Sequence, residues 1–439
     1  MRSSTDKSVS PTINWVRRSL PYFEPISCNS SLIIWRCFDS VRGVADVGEV
    51  RDHLLALLVL RYASDHAVET NHAVALNADA GSVQSFEQLL SAKHMPDIGQ
   101  RVDWALADLE KQHPLLKDAF HSVRFDSSLL GEPTQRQHIV ADLLSCFGLP
   151  ELDFRRGASA EAASFACETL ISEAAVVAGK RGAEFFTPPE VSRLIAAILR
   201  PEAGESVGDP CCGSGTLLLT CSALARAQSG GEGCQLFGQE KNGDTWALAK
   251  INMFLHGERA AQLVWGDTLK DPRLVADGQL QKFDVVVSNP PFNVKDWGQE
   301  AASADPFGRY RRGVPPRASA DYAFISHMVE TLKRGRGRMA VLVSHGVLFR
   351  TGAELQIRRQ LLEEGLVDAV IALPAKLLPN TPLPIALLVL RKDKSDGQVL
   401  FIDASRQFGH GKTQNQLRDD DLAQIEATYV ARADVEGYA

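Results

Sequence analysis

The sequence predicts an α/β protein: a mostly parallel sheet with helices on both faces, preceded by an α-helical domain. Three observations carry this. From about residue 200 onward, short apolar runs alternate with helical stretches, the pattern of a parallel sheet built from crossover connections. Before that point apolar and charged residues recur near the 3.6-residue helical period, with few β-branched runs. Two of the strand ends run straight into turns made of glycine or proline, and sheets of this class bind ligands beyond the carboxyl ends of their strands.

Taken in order, residues 1–30 contain Arg17, Arg18, Pro21 and Pro25 but no apolar core of signal-peptide length, and read as a flexible tail. Residues 31–155 read as the helical domain. SLIIWRCFDSVRG carries Ile33, Ile34, Cys37, Phe38 and Val41 at near-helical spacing. EVRDHLLALLVLRYASD is apolar on most faces, so it predicts a helix buried among others. Residues 156–405 form the sheet domain. Its strands are ESVGDP, QLFGQE, QLVWGD, FDVVVSNP, MAVLVSH, DAVIALP, IALLVLR and QVLFID, and its first helices TLLLTCSALARAQ and GDTWALAKINMFLHG. Residues 406–439 are charged and read as a C-terminal tail ending in a helical pattern.

Composition narrows the function classes. The chain has 439 residues, 45% hydrophobic and 23% charged, an ordinary globular mix that excludes a disordered chain or a coiled-coil rod. No run reaches the roughly 18 uncharged apolar residues that a membrane helix needs. The net charge of −7 gives no global attraction to nucleic acid, so any such contact must be local. Eight cysteines without a CxxC pair speak against a zinc site or a disulfide scaffold, and for a reduced cytoplasm.

Three segments carry chemistry. In SVGDPCCGSGTLLL a strand ends at Asp209, a turn of small residues follows, and a helix begins near Thr216. Gly213 and Gly215 admit backbone close to a ligand, and a nucleotide-like group at the helix start is the expected use. Leu218 stands where the dinucleotide pattern has its third glycine, which weakens a nicotinamide reading. In LFGQEKNGD, Glu240 closes the next strand, where an acidic residue accepts both hydroxyls of a ribose. Asp267, ending LVWGD, is a candidate partner for an adenine amino group. In FDVVVSNPPFNV a buried strand runs into Asn289, Pro290, Pro291 and Phe292. The prolines remove two backbone donors. The Asn289 side-chain oxygen and the Pro290 carbonyl then form a pair of acceptors suited to an exocyclic amino group, with Phe292 as an aromatic face. Cys211 and Cys212, inside the turn, read as packing residues and not as a cytosine-methylating nucleophile.

These pieces imply one chemistry. The adenine amino nitrogen is a poor nucleophile because its lone pair is delocalised into the ring. Hydrogen bonds from both its protons to Asn289 and Pro290 favour a pyramidal, reactive nitrogen, and a sulfonium donor in the glycine turn supplies the methyl group. Positioning and electrostatics suffice without a metal. A base in a duplex must first leave the stack, and Phe292 holds it by stacking.

In sequence order, GAEFFTPPEVSRLIAAIL, DPCCGSGTLLL, FGQEKNGDTWALAKINMFLHG, GDTL, FDVVVSNPPF, SADYAFISHMVETLK, VLVSHGVLFR and IALPAKLLPNTPLPIALLVL together resemble the modification (methylation) subunit of type I DNA restriction-modification systems. The similarity spans roughly residues 31–405. It implies a Rossmann-like, S-adenosylmethionine-dependent methyltransferase domain after an α-helical N-terminal domain, acting as a site-specific DNA adenine-N6 methyltransferase on duplex DNA. It also implies a specificity subunit that reads sequence, a restriction subunit and a second copy of the chain as partners. By position, donor binding falls on Glu184, Phe185, Phe186, Thr187, Pro188 and Pro189, on Ser214, Gly215 and Thr216, and on Glu240, and catalysis on Asn289 to Phe292. Thr187-Pro188 also reads as a helix N-cap followed by a first-turn proline, with free N–H groups for the donor's carboxylate. The chain departs from the pattern at Cys212, Thr216, Ser344-His345 and Pro382-Leu383. It stops soon after LFIDAS, where many members carry helices that contact the specificity subunit.

DNA phosphates have two candidate sites: Arg309, Arg311, Arg312 and Arg317 of RYRRGVPPR, and Lys333, Arg334, Arg336 and Arg338 of KRGRGR. Two alternatives stay open on the residues alone. One is methylation of protein or RNA through the same Asn-Pro-Pro-Phe. The other is a non-catalytic assembly subunit.

Overall fold

A computed structural model describes residues 37, 47–69, 85–155, 159–177, 187–379, 382–411 and 414–439. The expected N-terminal tail, most of the SLIIWRCFDSVRG helix, and Glu184, Phe185 and Phe186 lie outside the described residues. The helices are α1 (Val47–Glu69), α2 (Phe86–Ser91), α3 (Ile98–Gln112), α4 (Pro133–Phe147), α5 (Ser159–Val177), α6 (Pro189–Leu199), α7 (Thr216–Ser229), α8 (Gly243–Leu255), α9 (Asp321–Glu330), α10 (Gly346–Phe349), α11 (Ala353–Glu363) and α12 (Asp419–Ala431). The strands are β1 (Ser206–Asp209), β2 (Gln235–Glu240), β3 (Gln262–Trp265), β4 (Val275–Ala276), β5 (Gln279–Leu280), β6 (Val285–Ser288), β7 (Arg338–Ser344), β8 (Val367–Ala372), β9 (Ile385–Arg391), β10 (Leu400–Asp403), β11 (Gly409–His410) and β12 (Asn415–Gln416).

The chain divides into two compact units, Pro21–Phe186 with Gly243–Ala261, and Thr187–Asn242 with Gln262–Ala439. The boundaries expected at residues 155 and 405 are therefore not those of the units. α5 and α8 join the helical unit, where Ser164 donates to the Leu255 carbonyl at 3.0 Å and Asn252 to Glu168 at 3.1 Å. Residues 406–439 join the sheet unit. There Tyr429 of α12 donates its hydroxyl to Asp368 of β8 at 2.7 Å, and Arg193 of α6 pairs with Asp419 at 3.0 Å.

The helical unit is built around α1. Leu54 to Leu60 are all buried, so this helix has no solvated stripe at its centre, as its near-continuous apolar sequence requires. Arg61 and Asp65 are the charged exception, and pair with each other at 2.9 Å.

The sheet unit has eight strands in the order β10-β8-β9-β7-β6-β1-β2-β3. All run parallel except β9, which pairs antiparallel with both β7 and β8. The central strands β1 and β6 are buried throughout, and β7 nearly so, whereas the edges β3 and β10 are mostly outside the core. Uninterrupted apolar runs are what a strand covered on both faces needs. One face carries α9, whose Tyr322, Ile325, Met328 and Val329 pack with Val286, Met339 and Val341 of β6 and β7. The chain proceeds outward from β1 through β2 and β3, then returns to pair β6 on the other side of β1. That reversal opens a crevice at the carboxyl ends of β1 and β6. The glycine turn and the Asn-Pro-Pro-Phe segment both begin there.

Candidate active site

The turn after β1 is shaped by Gly213 and Gly215, at φ values of 54° and 82°, a region where a side chain is strained. The Glu240 carboxylate fastens it to the end of β2: Oε2 accepts the Gly213 N–H at 3.0 Å and Oε1 the Asn242 N–H at 2.7 Å. Burial pushes the Glu240 carboxyl up, and those N–H groups oppose the shift. The Lys241 N–H also bonds to the carboxylate, so only part of its acceptor capacity remains. Ser214 and Thr216 are buried and share a hydroxyl–hydroxyl hydrogen bond of 3.0 Å.

Asp209 is 1% exposed. Its Oδ1 accepts the Cys211 N–H at 2.9 Å and the Ser288 hydroxyl at 2.8 Å, while Oδ2 is buried without a partner. Burial raises its pKa to about 7, against the pull of those two donors. Asp267 is half-buried. Its Oδ1 accepts the Leu269 N–H at 3.0 Å, and its Oδ2 pairs with Lys241 at 2.8 Å. Thr268 beside it donates to the Pro210 carbonyl at 2.5 Å. The loops after β1, β2 and β3 are thus bonded into one rim. The thiols of Cys211 and Cys212 are pushed well up by burial and then by neighbouring carboxylates. Cys211 packs against a cluster of Leu269, Trp297, Tyr310 and Phe324, in keeping with a packing role.

Ser288 ends β6 in contact with Asp209, and Asn289 follows it. The Asn289 Nδ2 donates to Thr187 Oγ1 at 3.1 Å, which leaves Oδ1 as the acceptor facing other company. Pro290 is buried, Pro291 exposed and Phe292 half-buried.

The start of α6 differs from expectation. Its N-cap is Pro188, in an extended conformation, and Pro189 is its first residue. Thr187 lies outside the helix and serves as acceptor for Asn289. The reason is local: a proline disfavours helical backbone in the residue before it, so Pro189 excludes Pro188 from the helix. Free N–H groups are scarce here. Pro188 and Pro189 have none, Val191 and Ser192 both donate to the Pro188 carbonyl, and the Glu190 N–H serves its own carboxylate.

The arginines of RYRRGVPPR are largely structural. Arg309 is buried, donates to the carbonyls of Thr268 and Leu269 at 2.9 and 3.0 Å, and pairs with Asp305 at 2.7 Å. Arg312 is buried between Glu330 and Glu364, each at 2.6 Å. Arg311 shares Glu330 at 3.0 Å, and Arg317 pairs with Asp296. KRGRGR leads into β7 at its amino end, away from the carboxyl ends of the strands that open the crevice. Lys333 and Arg336 there share Asp284, and Arg338 pairs with Glu205. The sequence displays these positive charges together, but their acidic partners are brought in by the fold. Reading the sequence also missed Ser288, Asn242 and the Arg350–Asp321 pair, at 2.7 Å. The only signal for Asp321 was its place in SADYAF.

The sheet order, the glycine turn at its reversal and the Asn-Pro-Pro-Phe segment beside it define a Rossmann-like methyltransferase domain of the kind that takes S-adenosylmethionine. Residues 159–439 match the N-6 DNA Methylase family, and the chain belongs to that family. It is similar to the type I restriction enzyme MjaVII methylase subunit of Methanocaldococcus jannaschii, 33% identical over 69% of this chain and 53% of the relative. It is also similar to the MpnII methylase subunit of Mycoplasma pneumoniae, 29% identical over 92% of this chain and 84% of the relative. A crystal structure of a type I restriction-modification system methyltransferase subunit from Streptococcus thermophilus superposes with a TM-score of 0.83 at 28% identity, covering 93% of this chain and 94% of the other. The chain spans about half the length of the first curated relatives it matches, 53% in two cases.

Proposed function

We propose that this chain is the methylation subunit of a type I DNA restriction-modification complex. It transfers a methyl group from S-adenosylmethionine to the adenine amino nitrogen in duplex DNA. One observation carries the reading: Asn289 directly follows its strand with Nδ2 engaged by Thr187, which frees Oδ1 as acceptor, one residue beyond the Ser288–Asp209 bond at the glycine turn.

Three features fit that donor. The Asp209 Oδ2 atom is buried without a partner and suits a cationic group. Glu240 keeps acceptor capacity for a ribose hydroxyl beside its three backbone N–H partners. The backbone at Gly213 and Gly215 approaches without a Cβ. When bound, S-adenosylmethionine supplies an activated sulfonium methyl. Asn289 Oδ1 and the Pro290 carbonyl hold the two amino protons and draw the nitrogen lone pair out of conjugation. Phe292 stacks on the extruded base. Catalysis is then mainly alignment and fixed dipoles. A specificity subunit reads the sequence, a restriction subunit and a second copy of the chain complete the assembly, and the complex works in the cytoplasm.

Asn289→Ala removes one acceptor while leaving the donor turn intact. Co-expressed with its specificity subunit, this variant is expected to lose methyl transfer to DNA by at least about 100-fold while calorimetry gives an unchanged donor affinity. Wild-type transfer rates in the variant would reject the site.

A further inference from the structure

We propose that Arg350 is a positioning residue that clamps the segment following Phe292 in the conformation methyl transfer requires. The inference rests on the adenine-methylating reading above and adds to it a group outside the family of residues that touch donor or base.

The clamp closes a small ring. Asn293, immediately after Phe292, has left-handed backbone at φ 55°. Its N–H donates to Asp321 Oδ1 at 3.2 Å, and its Oδ1 accepts from Arg350 Nη2 at 2.9 Å. Arg350 Nη1 in turn donates to Asp321 Oδ2 at 2.7 Å. Both polar ends of Asn293 are therefore held, one directly by the guanidinium and one through the carboxylate that the guanidinium grips. The next residue continues the lacing, because the Val294 carbonyl accepts the Ala320 N–H at 2.9 Å. On the other side Arg350 Nη1 also reaches Ser319 Oγ at 3.0 Å and Glu354 Oε1 at 3.3 Å. Tyr322 of α9 donates to the Val347 carbonyl of α10 at 2.9 Å, so the two helices that present the clamp are themselves joined.

Arginine suits this place and lysine does not. A planar fork spans two acceptors at fixed separation, whereas an ammonium is a point donor. The backbone has been cleared for it. A Cβ on Gly346 would lie 2.7 Å from Arg350 Nε and 2.8 Å from Nη2. The guanidinium lies across bare glycine, and Gly346 needs no unusual φ of its own. The Asp321 and Glu354 side chains are 5% and 3% exposed, so the clamp is anchored on buried carboxylates, while Arg350 is partly exposed and Asn293 lies at the surface. The consequence for chemistry is alignment. The acceptors at Asn289 and Pro290 and the Phe292 ring precede the clamp by one to four residues, and an error of about 1 Å in such groups costs on the order of 100-fold in rate.

Removing Arg350 outright strands two buried carboxylates and risks unfolding, so the decisive variants keep every charge. Gly346→Ala keeps the helix, since alanine favours it, and displaces the guanidinium. Asn293→Gly keeps the left-handed backbone and deletes the acceptor. Each is assayed in complex with the specificity subunit for single-turnover methyl transfer, donor affinity by calorimetry, and hydrogen exchange of the Asn293 amide. Expected are a loss of transfer of about 100-fold, donor Kd within about twofold, and faster exchange at Asn293 in Gly346→Ala. The double variant should lose no more than either single one, because both break one linkage. Arg350→Lys should lose transfer to a similar extent, because an ammonium cannot span both acceptors. Transfer rates near wild type in both single variants, or losses that simply multiply, overturn the proposal. A wild-type complex that methylates no DNA defeats the functional reading instead; the exchange measurement then decides the clamp, and unchanged protection in Gly346→Ala overturns it.

Discussion

At the carboxyl end of β1, Asp209 keeps its proton far above the usual aspartate range, with a pKa of about 7 set chiefly by burial. The folded state therefore binds this proton more tightly than the unfolded chain. The associated stability is full below the ordinary aspartate pKa and is lost as pH rises through about 7. A cationic ligand at the unpartnered Oδ2 reverses the preference and expels the proton. Donor binding near pH 6.5 should thus release protons, seen as heats that differ between buffers of different ionisation enthalpy, and near pH 9 should release none. Asp209→Asn should abolish the difference. Equal release from that variant would remove Asp209 from the donor's surroundings. The same scale explains the one misjudged cap. Thr187 has the chemistry of an N-cap, but the second proline shifts the helix start by a residue, and its hydroxyl orients Asn289 instead.

Among the elements, the strands were the most legible, because apolar runs bounded by turn residues have few other uses. All eight strands expected between residues 200 and 405 pair in the sheet. The reversed direction of β9 was not legible, since periodicity carries no sign. The C-terminal segment was read as a tail because it is charged. In the structure α12 turns Leu422, Ile425 and Tyr429 inward, and Tyr429 and Arg432 satisfy the buried Asp368. Tyr429→Phe should cost about 1 kcal/mol by denaturant unfolding, the worth of one hydrogen bond to a group that keeps another partner. Leu422→Ala should cost about 2–5 kcal/mol. Neutral outcomes for both would mean that α12 contributes nothing to the sheet unit.

For the whole molecule, the balance of charge matters more than any one basic segment. The chain carries 47 lysines and arginines against 54 acidic residues. In the segments that looked available for phosphates, Arg309, Arg312, Lys333 and Arg338 are held by buried or half-buried carboxylates, while Arg311, Arg317 and Arg336 stay exposed in their pairs. The chain by itself should therefore bind duplex DNA weakly, and binding should tighten when the specificity subunit is present. Fluorescence anisotropy at about 0.1 M salt checks this. Tight binding by the isolated chain, falling steeply with salt, would place a phosphate surface on it after all.

The sequence by itself determined the sheet-and-helix alternation, the glycine turn, the acidic strand end at Glu240 and the Asn-Pro-Pro-Phe segment, because each is a local pattern whose physics acts within a few residues. Only the tertiary structure decided which charges face solvent and which are paired, that Ser288 joins Asp209, that Thr187 orients Asn289, and that Arg350 grips the segment after Phe292. Those outcomes depend on groups dozens to hundreds of residues apart in the chain, and only folding brings them within hydrogen-bond reach.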